Sequence, residues 1–356
     1  MTKQILELLK ASRKVIADCS LPNGAIVASN SAKLHTHKEA KNYNFVWPRD
    51  ASYACVAANM LGLDIHEKFF KWCTKAEGWE KTGLFYQYYY TDGRKACFHF
   101  QPDQTACVLM AIYNYYKKDK NKCMKFEKLI TNSANGLCRI WDKTHFKLVT
   151  QDLWEERLCF PDLNDNFTYS LAVCSKGLSY ANELIPNKKW SKTSDEMRMV
   201  LLNNFDDYFY RSFGKLNDKQ LDASLLGLVW PSRIINADDE IMKKTMSLIE
   251  KRLTKNLGIY RYENDVYDGW MYQKTTHRKK GAGYWPLLNF WMSICWMERN
   301  NKTKALKYYN KVLEDIKNKK FIPEQIFDNN IQIAVSPLLW SHSMFIIASK
   351  KLGYIQ

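Results

Sequence analysis

In the stretch Pro102-Asp-Gln-Thr-Ala-Cys-Val-Leu-Met-Ala-Ile-Tyr-Asn-Tyr-Tyr116, a proline followed by an acid opens a helix. Val108, Leu109, Ile112 and Tyr115 then recur at helical spacing. The same pattern predicts further helices near 3–18, 51–61, 65–76, 122–141, 165–184, 189–211 and 222–230. Others follow the acidic cap Asp238-Asp239-Glu240, run from Trp285 to Met297, and lie near 302–317 and 336–352, with Gly62, Gly78 and Pro231 as stops. Twelve such segments pair into six hairpins. An apolar content of 46% with only 14 Gly and 9 Pro excludes a disordered chain and a turn-rich all-β protein. Between the hairpins the segments 19–48, 78–101, 142–164, 257–284 and 318–335 are long and aromatic, and long loops in a compact domain usually carry function. Hairpins that close into a ring gather such loops at one mouth. The expected fold is therefore an all-α (α/α)6 toroid, read as a single domain over residues 1–356.

Composition narrows the partners. The 53 Lys and Arg against 37 Asp and Glu give +16, which suits nucleic acid only when the excess forms one stripe. Here it is scattered over helix faces, as in Lys117, Lys118, Lys120, Lys122 and Lys125, or Lys302, Lys304, Lys307 and Lys311, so no nucleic-acid partner is expected. Ten cysteines show no Cys-x-x-Cys and no zinc spacing, and His35-Thr-His37 has no third ligand nearby and reads as a solvated pair. Neither a metal nor a cofactor is expected. The first ten residues have the period of an amphipathic helix, not an apolar signal core, and no apolar run approaches a membrane span. These features point to a cytoplasmic chain with reduced thiols and no membrane partner.

The chemistry lies in the long loops. Glu155 stands in Gln151-Asp-Leu-Trp-Glu-Glu-Arg157 and Glu324 in Phe321-Ile-Pro-Glu-Gln325, both among aromatics. Two such carboxyl groups, one protonated and one ionised, are what glycoside hydrolysis requires. Trp154 beside Glu155 is expected to exclude water from the acid and raise its pKa. Bland readings exist for each: Glu155 paired with Arg157 at the surface, and Glu324 on a turn near a helix N-terminus. In Tyr43-Asn-Phe-Val-Trp47-Pro-Arg49-Asp50, Asp50 either caps the following helix and pairs with Arg49, or the two together hold vicinal hydroxyls. Tyr260-Arg261-Tyr262-Glu263-Asn264-Asp265 repeats that vocabulary, Arg261 having the alternative of stacking on its tyrosines. Trp340 adds a ring, whereas Trp285, Trp291 and Trp296 read as core.

Taken in order, Tyr43/Trp47-Pro48-Arg49-Asp50, Asp152-Leu153-Trp154-Glu155-Glu156, Arg261-Tyr262, Pro323-Glu324-Gln325 and Trp340-Ser341 resemble the catalytic domain of the glucoamylase family, glycoside hydrolase family 15. The resemblance runs from about residue 40 to the C-terminus and includes Leu221-Asp-Ala-Ser-Leu-Leu-Gly227. It implies Glu155 as general acid, Glu324 as general base and Glu156 as a substrate-binding carboxylate. It also implies Arg49, Asp50 and Arg261 as clamps on the terminal glucose, Tyr43 leaning on the ring, and Trp47, Trp154 and Trp340 as pocket walls, with the backbone of Leu153 and Trp154 touching sugar. Family members invert the anomeric centre, releasing β-glucose from α-linked chains, and for an inverting pair the carboxyl groups should lie roughly 6.5–9.5 Å apart, against about 5–5.5 Å for a retaining one. The β-sandwich and starch-binding modules of some relatives are not expected here, which points to soluble oligosaccharides as substrate. A trehalase or α-1,6-glucosidase of the same family is the alternative, with specificity carried by the rim loops 78–101 and 262–282. A catalytically silent sugar-binding toroid is the non-enzyme alternative, and it would not need both glutamates.

Overall fold

Two kinds of helix alternate along the chain. The computed structural model describes residues 2–33, 40–269, 281–329 and 332–355. The α-helices among them are α1 (Lys3–Cys19), α2 (Pro48–Leu61), α3 (His66–Cys73), α4 (Trp79–Thr82), α5 (Pro102–Tyr116), α6 (Glu127–Ile140), α7 (Thr168–Leu184), α8 (Lys188–Leu202), α9 (Glu240–Arg252), α10 (Pro286–Glu298), α11 (Lys302–Asp315) and α12 (Leu339–Lys351). In α2, α5, α10 and α12 the first eleven residues are buried without interruption, as in helices enclosed on every side. By contrast α9 buries only Met242, Thr245, Met246 and Ile249, and α11 only Ala305, Tyr308, Tyr309, Val312 and Leu313, each a single stripe.

That difference makes an inner and an outer layer. α2 packs on α5, α5 on α7, α7 on a 3-10 helix (Ala223–Leu228), this on α10, α10 on α12, and α12 back on α2. The inner ring thus closes, while α1, α8 and α11 lie outside against α12, α7 and α10. The (α/α)6 toroid expected from the sequence is present. Close approach of α5 and α7 depends on Gly177, where a Cβ would come within 2.9 Å of Ala106.

Several boundaries differ from the expectation. The 222–230 segment is a 3-10 helix, held by Asp222 accepting from the Ser224 amide and crowded at Gly227 by the Tyr169 ring. The helix placed at 122–141 begins as a 3-10 turn (Lys120–Phe126) before α6. α8 stops at Leu202, where Asn203-Asn204 turns the chain toward the strand Ser212–Phe213, which pairs with Asn166–Phe167. α2 starts earlier than expected because Pro48 occupies its first position, which needs no N–H donor. α4, one turn long, was not foreseen.

His342 fastens the ring closure. Its Nε2 accepts from the Ile322 amide at 3.0 Å, so Nδ1 carries the proton and donates to Ser12 Oγ at 2.8 Å, joining α12, α1 and the segment leading to Glu324. Full burial pushes its pKa from 6.5 down to about 3. The neutral ring therefore contributes stability that is complete above pH 6.5 and is lost as pH falls from there toward 3. Thermal unfolding followed from pH 7 to pH 4 is expected to show a falling Tm whose slope is reduced in His342→Gln, and an unchanged slope would contradict this role.

Candidate active site

The cavity lies where α2, α10 and α12 begin. Its volume is about 320 Å³, and its walls include Tyr43, Trp47, Arg49, Asp50, Leu153, Trp154, Glu155, Glu156, Arg261, Glu324 and Trp340. Every residue singled out from the sequence as a site residue is therefore on one surface. Lys41, Tyr267, Trp285, Ala28 and Leu338 also line it. The histidine pair His35 and His37, and residues 270–280 of the rim loop 262–282, lie outside the described residues.

Glu155 is presented by a short antiparallel hairpin in which Thr150–Gln151 pairs with Leu158–Cys159. Inside it the buried Asp152 accepts from the amides of Glu156 (2.8 Å) and Arg157 (3.0 Å), while its carbonyl accepts from Gln101 Nε2 at 2.6 Å. The turn leaves Glu155 at φ 69°, a left-handed conformation uncommon for a side chain of this size. Such strain persists only where surrounding bonds over-determine it, and it aims Glu155 into the cavity. There Trp47 Nε1 donates to Glu155 Oε1 at 2.6 Å, and Tyr88 stacks on the far side of Trp47 with ring centroids 4.6 Å apart.

The indole on the acid is thus Trp47, not Trp154 as its place in the sequence suggested. Trp154 Nε1 instead donates to Asp222 (2.9 Å to Oδ1), and its ring packs on Trp285. Nor does Arg157 pair with Glu155: it approaches Glu156 at 3.6 Å and Asp152 at 3.9 Å.

Glu324 arrives on a segment pinned to α12. Ser341 Oγ donates to the Pro323 carbonyl at 3.0 Å, the Glu324 amide donates to Val335, and Gln325 Oε1 accepts from the Gly283 amide. Tyr43 Oη donates to Glu324 Oε1 at 2.8 Å, so its own oxygen accepts from Tyr267 Oη at 3.1 Å. Glu324 Oε2 is buried and makes no hydrogen bond to any described residue. Burial raises the pKa of both carboxyl groups; Arg49 and the Trp47 bond pull Glu155 back, and the Tyr43 bond and Lys41 pull Glu324 back.

Two guanidinium groups are fixed in the cavity wall. A buried cation without a partner costs several kcal/mol, and each is faced by two carboxyl groups. Arg49, 3% exposed, bonds Asp103 at 3.1 Å and Gln101 at 3.0 Å, with Asp50 at 3.4 Å and the Trp340 ring 5.1 Å away. Burial drives Asp50 up to about 7 against the pull of Arg49. Asp50 makes no side-chain cap on α2, and its Oδ2 is buried without a hydrogen bond to any described residue. Arg261, 2% exposed, is gripped by Asp265 (2.9 and 2.8 Å) and Glu156 (2.7 Å), among the rings of Trp154, Tyr262, Tyr267 and Trp285. Tyr262 Oη also donates to Glu156.

Lys41, Gln101, Asp103, Asp265, Tyr267 and Trp285 were missed as contributors. Trp285 was read as core from its helical spacing with Trp291 and Trp296; it precedes α10 and reaches the cavity, whereas Trp291 and Trp296 are core. Asp265 closes the Tyr260–Asp265 motif, four residues after Arg261, and Tyr267 stands two residues beyond it, so the signal for both lay in the sequence. Asp103 resembled only a helix-opening acid.

The chain belongs to the glycosyl hydrolases family 15, whose sequence profile matches residues 8–350. It is 29% identical over 347 residues to an uncharacterised glycosyl hydrolase of Methanocaldococcus jannaschii, covering 91% of this chain and 52% of that one. It is 23% identical to trehalase 2 of Sulfolobus acidocaldarius (68% of this chain, 47% of that one) and 23% identical to the isomaltose glucohydrolase of Kribbella flavida (74% and 67%). The chain thus spans about half the length of the first two relatives. A solved glycosidase superposes with a TM-score of 0.79 at 18% identity over 99% of this chain and 98% of its own. A bacterial glucoamylase complexed with acarbose gives 0.75 at 18% identity over 97% and 55%. These likenesses speak to the fold.

Asp103 is wholly buried and holds Arg49. Asp103→Ala leaves that guanidinium short of charge and is expected to lower stability by about 3 kcal/mol in urea unfolding, with Asp103→Asn losing less. Equal stability of the alanine variant and the parent would contradict this assignment.

Proposed function

We propose that the chain is an inverting, glucan 1,4-α-glucosidase-like hydrolase that releases β-glucose from the non-reducing end of α-linked gluco-oligosaccharides, with Glu155 as general acid and Glu324 as general base. The observation that carries the reading is that both carboxyl groups line one cavity, each bonded to its own aromatic donor, while Glu324 Oε2 makes no hydrogen bond to any described residue. In the proposed reaction, Glu155 delivers a proton to the glycosidic oxygen as its bond to C1 breaks. Water held by Glu324 attacks C1 from the opposite face and passes its proton to that carboxylate. Arg49, Asp50, Glu156 and Arg261 supply fixed donors and acceptors for sugar hydroxyls, and Trp47, Trp154 and Trp340 the apolar walls. A cavity of about 320 Å³, at the small end of ligand pockets, suits one terminal sugar.

The relatives named trehalase and isomaltose glucohydrolase support testing more than one linkage. The site of action proposed is the cytoplasm: all ten cysteines are free, and among the described residues no helix is long and apolar enough to cross a membrane.

Incubation with maltose, isomaltose, trehalose and a maltodextrin is expected to release glucose from at least one of them. Glu155→Gln and Glu324→Gln are each expected to lower kcat by about 10²–10⁴-fold with circular dichroism unchanged. No hydrolysis of any of the four would favour a silent sugar binder and overturn the reading.

A further inference from the structure

Around the cavity, each guanidinium already faces two carboxyl groups: Arg49 faces Asp50 and Asp103, Arg261 faces Asp265 and Glu156. Glu155 and Glu324 form ion pairs with neither. Among the described residues that line the cavity, Lys41 is the further cation. It is half-buried, and its Nζ sits 4.6 Å above the ring centroid of Tyr267, whose hydroxyl continues through Tyr43 to Glu324. Keeping an ammonium in an apolar wall is unfavourable without negative charge near it, and burial indeed lowers its pKa while Glu324 and Glu155 act against that fall. Glu156 adds to their effect and Arg261 opposes it. The relation is reciprocal: Arg49 favours ionisation of Glu155, Arg261 that of Glu324, and Lys41 that of both.

Resting on the function proposed above, we propose that Lys41 is a positioning residue whose ammonium is the shared counter-charge of Glu155 and Glu324. One positive charge facing two carboxyl groups is balanced when the pair holds a single proton. That is the state in which one carboxyl group can donate while the other accepts. The effect is electrostatic and asks for no bond from Lys41 to the sugar. It therefore governs the pH range of catalysis without altering the order of the proton transfers.

The test replaces Lys41 with Met, Gln and Arg. Without the cation both carboxyl groups become harder to ionise, so both limbs of the kcat/KM–pH bell are expected to move to higher pH by about one unit in Lys41→Met and Lys41→Gln. Lys41→Arg is expected to restore the parent profile, which loss of packing would not permit. Limbs that stay in place, limbs that move in opposite directions, or a change confined to KM would each overturn the proposal. The pair is also to be titrated in the unliganded protein by carbon NMR of labelled glutamate, with Glu155→Gln and Glu324→Gln for assignment. This readout needs no turnover. A parent that hydrolyses none of the four substrates would sink the proposed function, while titration midpoints equal in the parent and Lys41→Met would sink the role of Lys41.

Discussion

Charge held out of water is the constraint around which this protein is arranged. Arg49 and Arg261 are almost wholly enclosed, and neither is tolerable there without carboxylates at hydrogen-bonding distance. Their partners come from different parts of the chain: Asp103 from the start of α5, Asp265 from the loop after Arg261, and Glu156 from the hairpin that carries Glu155. Satisfying one guanidinium therefore fixes several loops at once. The same bonds that make burial bearable locate the groups facing the cavity.

The ring supplies the rigidity this needs. The inner helices α2 and α12 begin at the cavity and are packed on all sides, so Trp47, Arg49 and Asp50 at the start of α2 and Trp340 in the first turn of α12 have little freedom. The loops add what helices cannot. A left-handed residue inside a two-strand hairpin aims Glu155, and a segment tied to Ser341, Val335 and His342 aims Glu324. Holding two carboxyl groups on separately braced supports keeps either from drifting toward the other, as the proposed reaction requires.

Helical period made the outer helices legible, and the inner ones, buried all round, were marked instead by apolar runs of helical length, several of them opened by a proline. The exceptions were local: the inner segment Ala223–Leu228, with Gly227 against the Tyr169 ring, is a 3-10 helix, which spacing cannot distinguish from an α-helix. The cavity residues were legible through ordered motifs of acids, arginines and aromatics. Their partners were less so. Asp103 lies 54 residues beyond Arg49, with α3 and α4 between them, and nothing local marks it as a counter-ion. Trp154 and Trp47 exchanged the expected role because adjacency along a turn does not give the direction of a side chain. Trp285 was hidden by the periodicity of the helix it precedes.

The central claim is that two carboxyl groups in one cavity carry out a direct displacement by water. Proton NMR during the first minutes of maltodextrin hydrolysis, in which each glucose released comes from the non-reducing end and the leaving chain is not itself glucose, resolves the anomer released before mutarotation mixes the products. The account requires β-glucose to appear first and α-glucose to grow in later at the spontaneous rate. α-Glucose as the first product would mean retention through a covalent intermediate, and the assignment of Glu155 and Glu324 as acid and base across a water would be wrong.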